Sequence, residues 1–142
     1  MRHILAAFFL LLGLSIANAM GPTREELLQQ GFEPLLCTFT ERCPLGQKCH
    51  RVNLNIIFWH NDAENRAFRD GGVSMDEAIV MRDQDRPRSI ARSFLIPLRQ
   101  GAAAHLTHFY SGGAIYSIQY EGSPASGQFL RGDCSKSTLP IS

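Results

Sequence analysis

Beyond its first twenty residues, this chain of 142 residues has no apolar run of the ~20 residues that a membrane-spanning helix needs. It also has no Gly-x-Ser-x-Gly elbow, His-Glu-x-x-His pair, P-loop or dinucleotide-binding fingerprint. Several carboxylates are present, but no spacing places two of them together for general acid–base chemistry. The sequence therefore predicts a protein that neither spans a membrane nor acts as an enzyme.

An excess of charge of either sign is also missing. The sequence holds 14 basic and 13 acidic residues, and Arg2 lies in a leader that is predicted to be removed, which leaves 13 of each. Proteins that bind nucleic acid normally carry a clear positive excess, because they neutralise phosphates. We therefore predict that nucleic acid is not a partner.

The first nineteen residues have the pattern of a secretory signal peptide. Arg2 and His3 precede an apolar run over residues 4–17, which is too short to span a bilayer. Small residues at Ala17 and Ala19 then match the positions that a signal peptidase reads. The pattern predicts cleavage near Ala19 and a periplasmic or secreted mature protein.

Four cysteines remain after the leader, namely Cys37, Cys43, Cys49 and Cys134. In an exported chain an even number of cysteines predicts disulfides, and four allow three pairings. Residues 35–41, LLCTFTE, alternate as a strand does. A strand would hold Cys37 and Cys43 about 20 Å apart, whereas a disulfide needs Cα atoms within about 7 Å. The turn residues in PLGQK allow Cys43 to meet Cys49, so we predict the pairs Cys37–Cys134 and Cys43–Cys49.

The segment CTFTERCPLGQKCH also raises a haem or metal site as a remote alternative. Attachment of c-type haem uses Cys-x-x-Cys-His, but five residues separate Cys43 from Cys49 before His50. Zinc ligands are usually two to four residues apart. His105 and His108 lie three apart on a predicted strand, so they point to opposite faces. We therefore expect no cofactor and no metal.

A short helix is predicted near the start of the mature chain. Thr23 is a suitable N-cap, Glu26 is its capping-box partner, and Gly31 is suited to end the helix. We assign residues 20–34 to this helix and a linker.

The remaining sequence reads as short strands separated by turns, in a single domain over residues 35–135 with a loose tail at 136–142. Strand patterns occur at residues 35–41, 50–61, 77–81, 90–98, 103–110, 114–120 and 128–134. Residues 61–72 read as a loop, with one helical turn from 62 to 68. Helix-length crossovers are missing, which disfavours a parallel sheet. The predicted fold is all-β, a small antiparallel sandwich or open barrel with a short N-terminal helix and disulfides.

Aromatic and polar residues on the predicted strands form a candidate binding patch. Its members are Trp59, Tyr110, Ser111, Tyr116, Tyr120 and Arg131. Two interpretations remain open for Trp59, which shares a strand face with Ile57. The pair is either an exposed apolar surface or is covered by the N-terminal helix or a loop.

Two resemblances follow from these motifs. The leader, the cluster CTFTERCPLGQKC, the hairpin AHLTHFYSGGAIYSIQY and the final GDC resemble a loose group of small exported alphaproteobacterial proteins, and this likeness implies no activity. The segment SGGAIY is similar to the Ser-Gly-Ala-x-Tyr loop of periplasmic inhibitors of c-type lysozyme, with one extra glycine. Those proteins are small disulfide-linked β-barrels with a later Phe-Trp-x-Lys-Gly segment, to which QFLRGD is similar except that Leu130 and Arg131 are adjacent. The resemblance would make Ser111 and Arg131 the positions to test for binding of the enzyme.

The sequence thus favours an exported, non-catalytic binding or interaction protein whose partner is another periplasmic or extracellular protein. A structural, envelope-associated protein and an inhibitor of a cell-wall hydrolase are the alternatives.

Overall fold

A computed structural model describes residues 21–72, 74–81, 91–98, 101–120 and 127–138. The predicted signal peptide and the last residues of the predicted tail, 139–142, lie outside these ranges. The described elements are helix α1 (Arg24–Gln29) and strands β1 (Glu33–Pro44), β2 (His50–Asn61), β3 (Arg66–Asp70), β4 (Met75–Met81), β5 (Ala91–Pro97), β6 (Ala102–Phe109), β7 (Gly113–Tyr120) and β8 (Gln128–Lys136). No helix in these ranges is long and apolar enough to cross a membrane.

The eight described strands form a closed antiparallel barrel in which each strand pairs with its neighbours in sequence. The barrel closes where β1 pairs with β8, and Cys37 lies directly opposite Cys134 in that pairing. We call the end with the turns at residues 62–65 and 110–112 the upper end, and the end with residues 45–49 the lower end. The all-β class is confirmed, and the sheet is a closed barrel rather than a sandwich or an open one.

Both predicted disulfides are present, Cys37–Cys134 and Cys43–Cys49. The first joins the first and last strands, and the second closes the turn between β1 and β2. The barrel is therefore tied covalently at its closing seam and at its lower end.

Alternation along each strand places apolar side chains inside the barrel. The aromatic rings of Phe39, Phe58, Phe94 and Tyr116 meet there, with centroids 5.7–6.2 Å apart. An eight-stranded barrel is just wide enough to be filled by side chains. The middle of this barrel is accordingly a packed core, and surfaces for binding lie at its ends and on its outside.

Helix α1 packs on the outer face of β2 and β3. Thr23 caps it, and the reciprocal hydrogen bonds of a capping box link Thr23 and Glu26, as predicted. Leu27 and the following Phe32 form a second apolar cluster with Trp59 and Phe68. Trp59 is therefore covered by the helix, which decides between the two interpretations of this residue.

One segment was predicted wrongly. Residues 66–70 form strand β3 and not part of a loop or a helical turn. The inward-facing residues of this strand are Ala67 and Arg69. Because one is small and the other charged, the sequence lacks the alternation of large apolar and polar residues that indicates a half-buried strand.

Candidate functional site

Three polar side chains occupy core-facing positions at the upper end of the barrel. His60 follows buried Phe58 by two residues on β2, and His108 follows buried Leu106 by two on β6. Arg92 precedes buried Phe94 by two on β5. Because residues two apart on a strand point to the same face, all three point into the barrel. We call His60, Arg92 and His108 the upper-end cluster.

The cluster is closely spaced. Arg92 Nη1 lies 3.0 Å from Asp62 Oδ1 and 3.2 Å from His60 Nδ1. Arg92 also lies directly opposite His108 in the pairing of β5 with β6. His60 and His108 are 5% and 9% exposed, and the Arg92 side chain is 17% exposed. Asp62, at 57% exposed, is the anionic partner at the rim.

Burial and the neighbouring guanidinium keep both histidines neutral. Burial lowers the pKa of His60, and the charge of Arg92 lowers it further against the opposing effect of Asp62. Burial, then Arg92 and His60, lower the pKa of His108. Nδ1 of His60 lies 3.2 Å from Arg92 Nη1 and 3.4 Å from Asp62 Oδ1, so it accepts from the guanidinium in one tautomer and donates to the carboxylate in the other.

Two nitrogens of the cluster, Arg92 Nε and His108 Nδ1, are buried and have no hydrogen-bond partner among the described residues. Buried polar groups are nearly always paired, and an unpaired one costs about 1–3 kcal/mol. These two atoms are therefore the least satisfied part of the upper end.

The turn between β6 and β7 stands beside this cluster. Tyr110 is 58% exposed, and the Arg92 guanidinium carbon lies 5.4 Å from the centre of its ring. The Gly112 carbonyl accepts a 2.8 Å hydrogen bond from the Cys134 amide, and Gly112 has a φ of +105°, which a side chain would strain. The turn is thus fixed to the last strand next to the seam disulfide.

The six residues of the predicted binding patch do not share one surface. Tyr110 and Ser111 lie together on the turn at the upper end, whereas exposed Tyr120 ends β7 at the lower end. Trp59 lies beneath α1. The Tyr116 hydroxyl accepts a hydrogen bond from Arg69 inside the barrel. Exposed Arg131 stacks on Phe129 on the outside of β8.

A second polar group lies inside the lower half of the barrel. Arg69 forms an ion pair with Asp76, across the pairing of β3 with β4, and donates to Tyr116 at 3.2 Å. Burial raises the pKa of Tyr116. All three members have partners, so this group holds strands together and is less suited to bind a ligand.

The cysteines of the segment first considered for haem or zinc are all joined in disulfides. Within the described ranges, no three His, Cys, Asp or Glu side chains are placed to hold a metal ion. His105 and His108 point to opposite faces, and only His108 is buried.

Sequence reasoning did not assemble the upper-end cluster. One signal was present, because Arg92 interrupts the apolar alternation of its strand and so predicts a charged side chain among core positions.

Comparison with protein-family models, curated proteins and solved structures finds no match to this chain.

Proposed function

We propose that this chain is an exported, non-catalytic binding protein that contacts a partner protein with the β6–β7 turn. The observation that carries the proposal is the display of Tyr110 and Ser111 on a turn that is fixed from two sides. Arg92 stacks beneath Tyr110, and Cys134 holds the Gly112 carbonyl.

A fixed turn is favourable for binding because less conformational entropy is lost when the partner docks. Tyrosine is enriched among the residues that contribute most to protein interfaces. Tyr110 combines an exposed ring with a backbone that is already ordered, which makes it the best-placed anchor among the patch residues.

Export is supported by two features. Two disulfides are characteristic of proteins that work outside the reducing cytosol. The leader at residues 1–19 has the composition of a cleaved signal peptide.

Inhibition of a cell-wall hydrolase is a second candidate, and the position of the SGGAIY segment favours it. Ser111 lies on the turn at the upper end, and Arg131 pairs with Ile115, two residues beyond the Gly113–Asp133 pair. The two positions that the resemblance singles out are therefore on the β6–β7 turn and on the part of β8 that pairs with the start of β7.

The test compares two exposed tyrosines at opposite ends of the barrel. Immobilised wild-type protein, Tyr110→Ala and Tyr120→Ala are exposed to the exported proteins of the producing cells, and retained proteins are identified by mass spectrometry. We expect a partner that the wild type and Tyr120→Ala retain and that Tyr110→Ala loses at least about tenfold. Equal retention by Tyr110→Ala would contradict the proposal.

The inhibitor candidate is tested separately, by the clearing of bacterial cell walls by a c-type lysozyme with and without the protein. Inhibition that Ser111→Tyr abolishes supports this candidate. Unchanged clearing at a large excess of the protein eliminates it and leaves the broader binding proposal standing.

A further inference from the structure

The upper-end cluster brings a guanidinium and two neutral imidazoles together in the mouth of the barrel, with two nitrogens unpaired. We propose that His60, Arg92 and His108 form a binding site for a carboxylate group. This goes beyond the proposed function, because a carboxylate site would stand even if the β6–β7 turn had no protein partner.

Five buried side-chain nitrogens of the described residues lack a hydrogen-bond partner, and Arg92 Nε and His108 Nδ1 are the two whose residues lie opposite each other across a strand pairing. Arg92 Nε is a permanent donor, and His108 Nδ1 carries or accepts a proton according to its tautomer. On one side the cross-strand neighbours are alanines, Ala114 opposite His108 and Ala67 opposite His60. On the other side they are polar, with Arg92 opposite His108 and Glu33 opposite His60, yet neither pairs the two nitrogens. No side chain of the described residues pairs these two atoms, which leaves them available to a bound group or water.

The electrostatics select an anion over a metal cation. Arg92 carries a permanent positive charge 3.2 Å from the Nδ1 atom of His60. That nitrogen lies within reach of both the guanidinium and Asp62 Oδ1, so in either tautomer it already has a partner and is not free to bind a metal. The guanidinium would also repel any divalent cation near His108, its cross-strand neighbour.

The number of charges selects a carboxylate over a phosphate. The cluster has one permanent cation, and Asp62 already lies 3.0 Å from one of its nitrogens. A dianionic phosphate would therefore meet too little positive charge. A carboxylate is a monoanion whose two oxygens match adjacent N–H groups of a guanidinium, leaving His108 as a further donor.

Tyr110 controls access to the site. Its ring centre lies 5.4 Å from the guanidinium carbon, and the residue is more than half exposed and directly follows the end of β6. A rotation of this side chain uncovers Arg92 without any change in the barrel. The carboxylate has two possible sources, a small free acid or an acidic side chain of a partner protein.

The experiment follows the histidine ring signals by NMR at pH 7 during addition of sodium acetate, with sodium chloride at equal ionic strength as the reference. We expect saturable shifts for His60 and His108. His105 is the internal control, since it lies on the same strand as His108 but on the outer face. Shifts that do not saturate, or that move His105 equally, would overturn the proposal.

The variant Arg92→Gln tests the role of the guanidinium. Loss of a charged hydrogen-bond donor should weaken acetate binding about tenfold or more. Unchanged binding in a folded Arg92→Gln protein contradicts the proposal. Tighter binding of inorganic phosphate than of acetate contradicts the carboxylate assignment. The wild-type titration decides the matter if the variant does not fold.

A short peptide with one Glu, and its Gln counterpart, separate the two sources. Saturable binding of acetate alone indicates a small free acid, whereas binding of the Glu peptide alone indicates an acidic side chain of a partner. Binding of neither probe overturns the proposal, without bearing on whether the β6–β7 turn binds a protein.

Discussion

Cys37 and Cys134 face each other across the pairing of β1 with β8, with their Cα atoms 4.0 Å apart. Their disulfide joins the strands that are farthest apart in sequence, across 97 residues, at the place where the barrel closes. Closure of this barrel therefore rests both on backbone pairing and on a covalent bond.

Removal of this disulfide should destabilise the protein more than removal of the other. In the chain-entropy model, a bridge across 97 residues contributes about 4.7 kcal/mol and one across six about 2.4 kcal/mol. We expect the double variant Cys37→Ala/Cys134→Ala to lose more free energy of unfolding than Cys43→Ala/Cys49→Ala, measured by urea titration of Trp59 fluorescence. Equal losses would show that the seam does not depend on its bridge.

Gly132 should not tolerate a side chain. A Cβ atom added there would overlap the Thr38 carbonyl and the Phe39 Cα on the neighbouring strand. Gly132→Ala should therefore lower the free energy of unfolding by about 1–3 kcal/mol, as overpacking does. Gly127→Ala is the matched control, because no atom of the described residues lies within 4 Å of its Cβ position. A Gly132→Ala protein as stable as this control would contradict the close approach of β1 and β8.

Two neighbouring carboxylates on β4, Asp76 and Glu77, should contribute very different amounts to the free energy of unfolding. Asp76 pairs with Arg69 inside the barrel, where both side chains are about four-fifths buried. Glu77 pairs with Arg66 on the outside, and both are mostly exposed. Asp76→Ala leaves a buried guanidinium uncompensated and should cost about 3 kcal/mol. Glu77→Ala should lower the free energy of unfolding by no more than about 1 kcal/mol. Thermal or urea unfolding of the two variants measures the difference. Similar losses in both variants would show that the Asp76 side chain is in solvent and not inside the barrel.

Stability should fall as the solution becomes acidic. The pKa values of His60 and His108 lie below the ordinary 6.5 in the folded protein, so the unfolded chain binds protons first as the pH drops. Their contribution is complete above pH 6.5 and is lost from there down to the folded pKa values. The charged groups that act on the two histidines are Arg92, Asp62 and Glu33.

The measurement is the urea midpoint at pH 7.5 and pH 5. His108→Gln should show a smaller drop between these two pH values than the wild type does. His105→Gln, changed on the outer face of the same strand, should keep the wild-type drop. If His108→Gln loses as much stability on acidification as the wild type, His108 is not the group responsible.

The parts of the fold that local patterns determine were predictable. The alternation around Cys37 predicted a strand, and strand geometry then predicted both disulfides. The change from polar to apolar along the outer face of β2 drew attention to Trp59 but left open whether it was exposed or covered, and the structure shows that α1 covers it. Thr23 and Glu26 predicted the start of the helix because the capping box is a local motif.

The rest depended on long-range geometry. Closure of the barrel is set by strand number and register, which no local pattern contains. Strand β3 was not predicted from the sequence because Arg69 occupies an inward-facing position that an apolar residue usually fills. The upper-end cluster was not predicted because Arg92 and His108 lie on different strands and are brought together only by the register of β5 against β6.

The seam disulfide also changes how a protease would meet this chain. Every connection between β1 and β8 lies between Cys37 and Cys134 in sequence. A single cut at a connection, for example between Gly71 and Gly72, leaves two pieces that remain joined through sulfur. The disulfide closes residues 37–134 into a covalent ring. One cut within this ring leaves the protein in one covalent piece, and a second cut is needed to release a fragment from it.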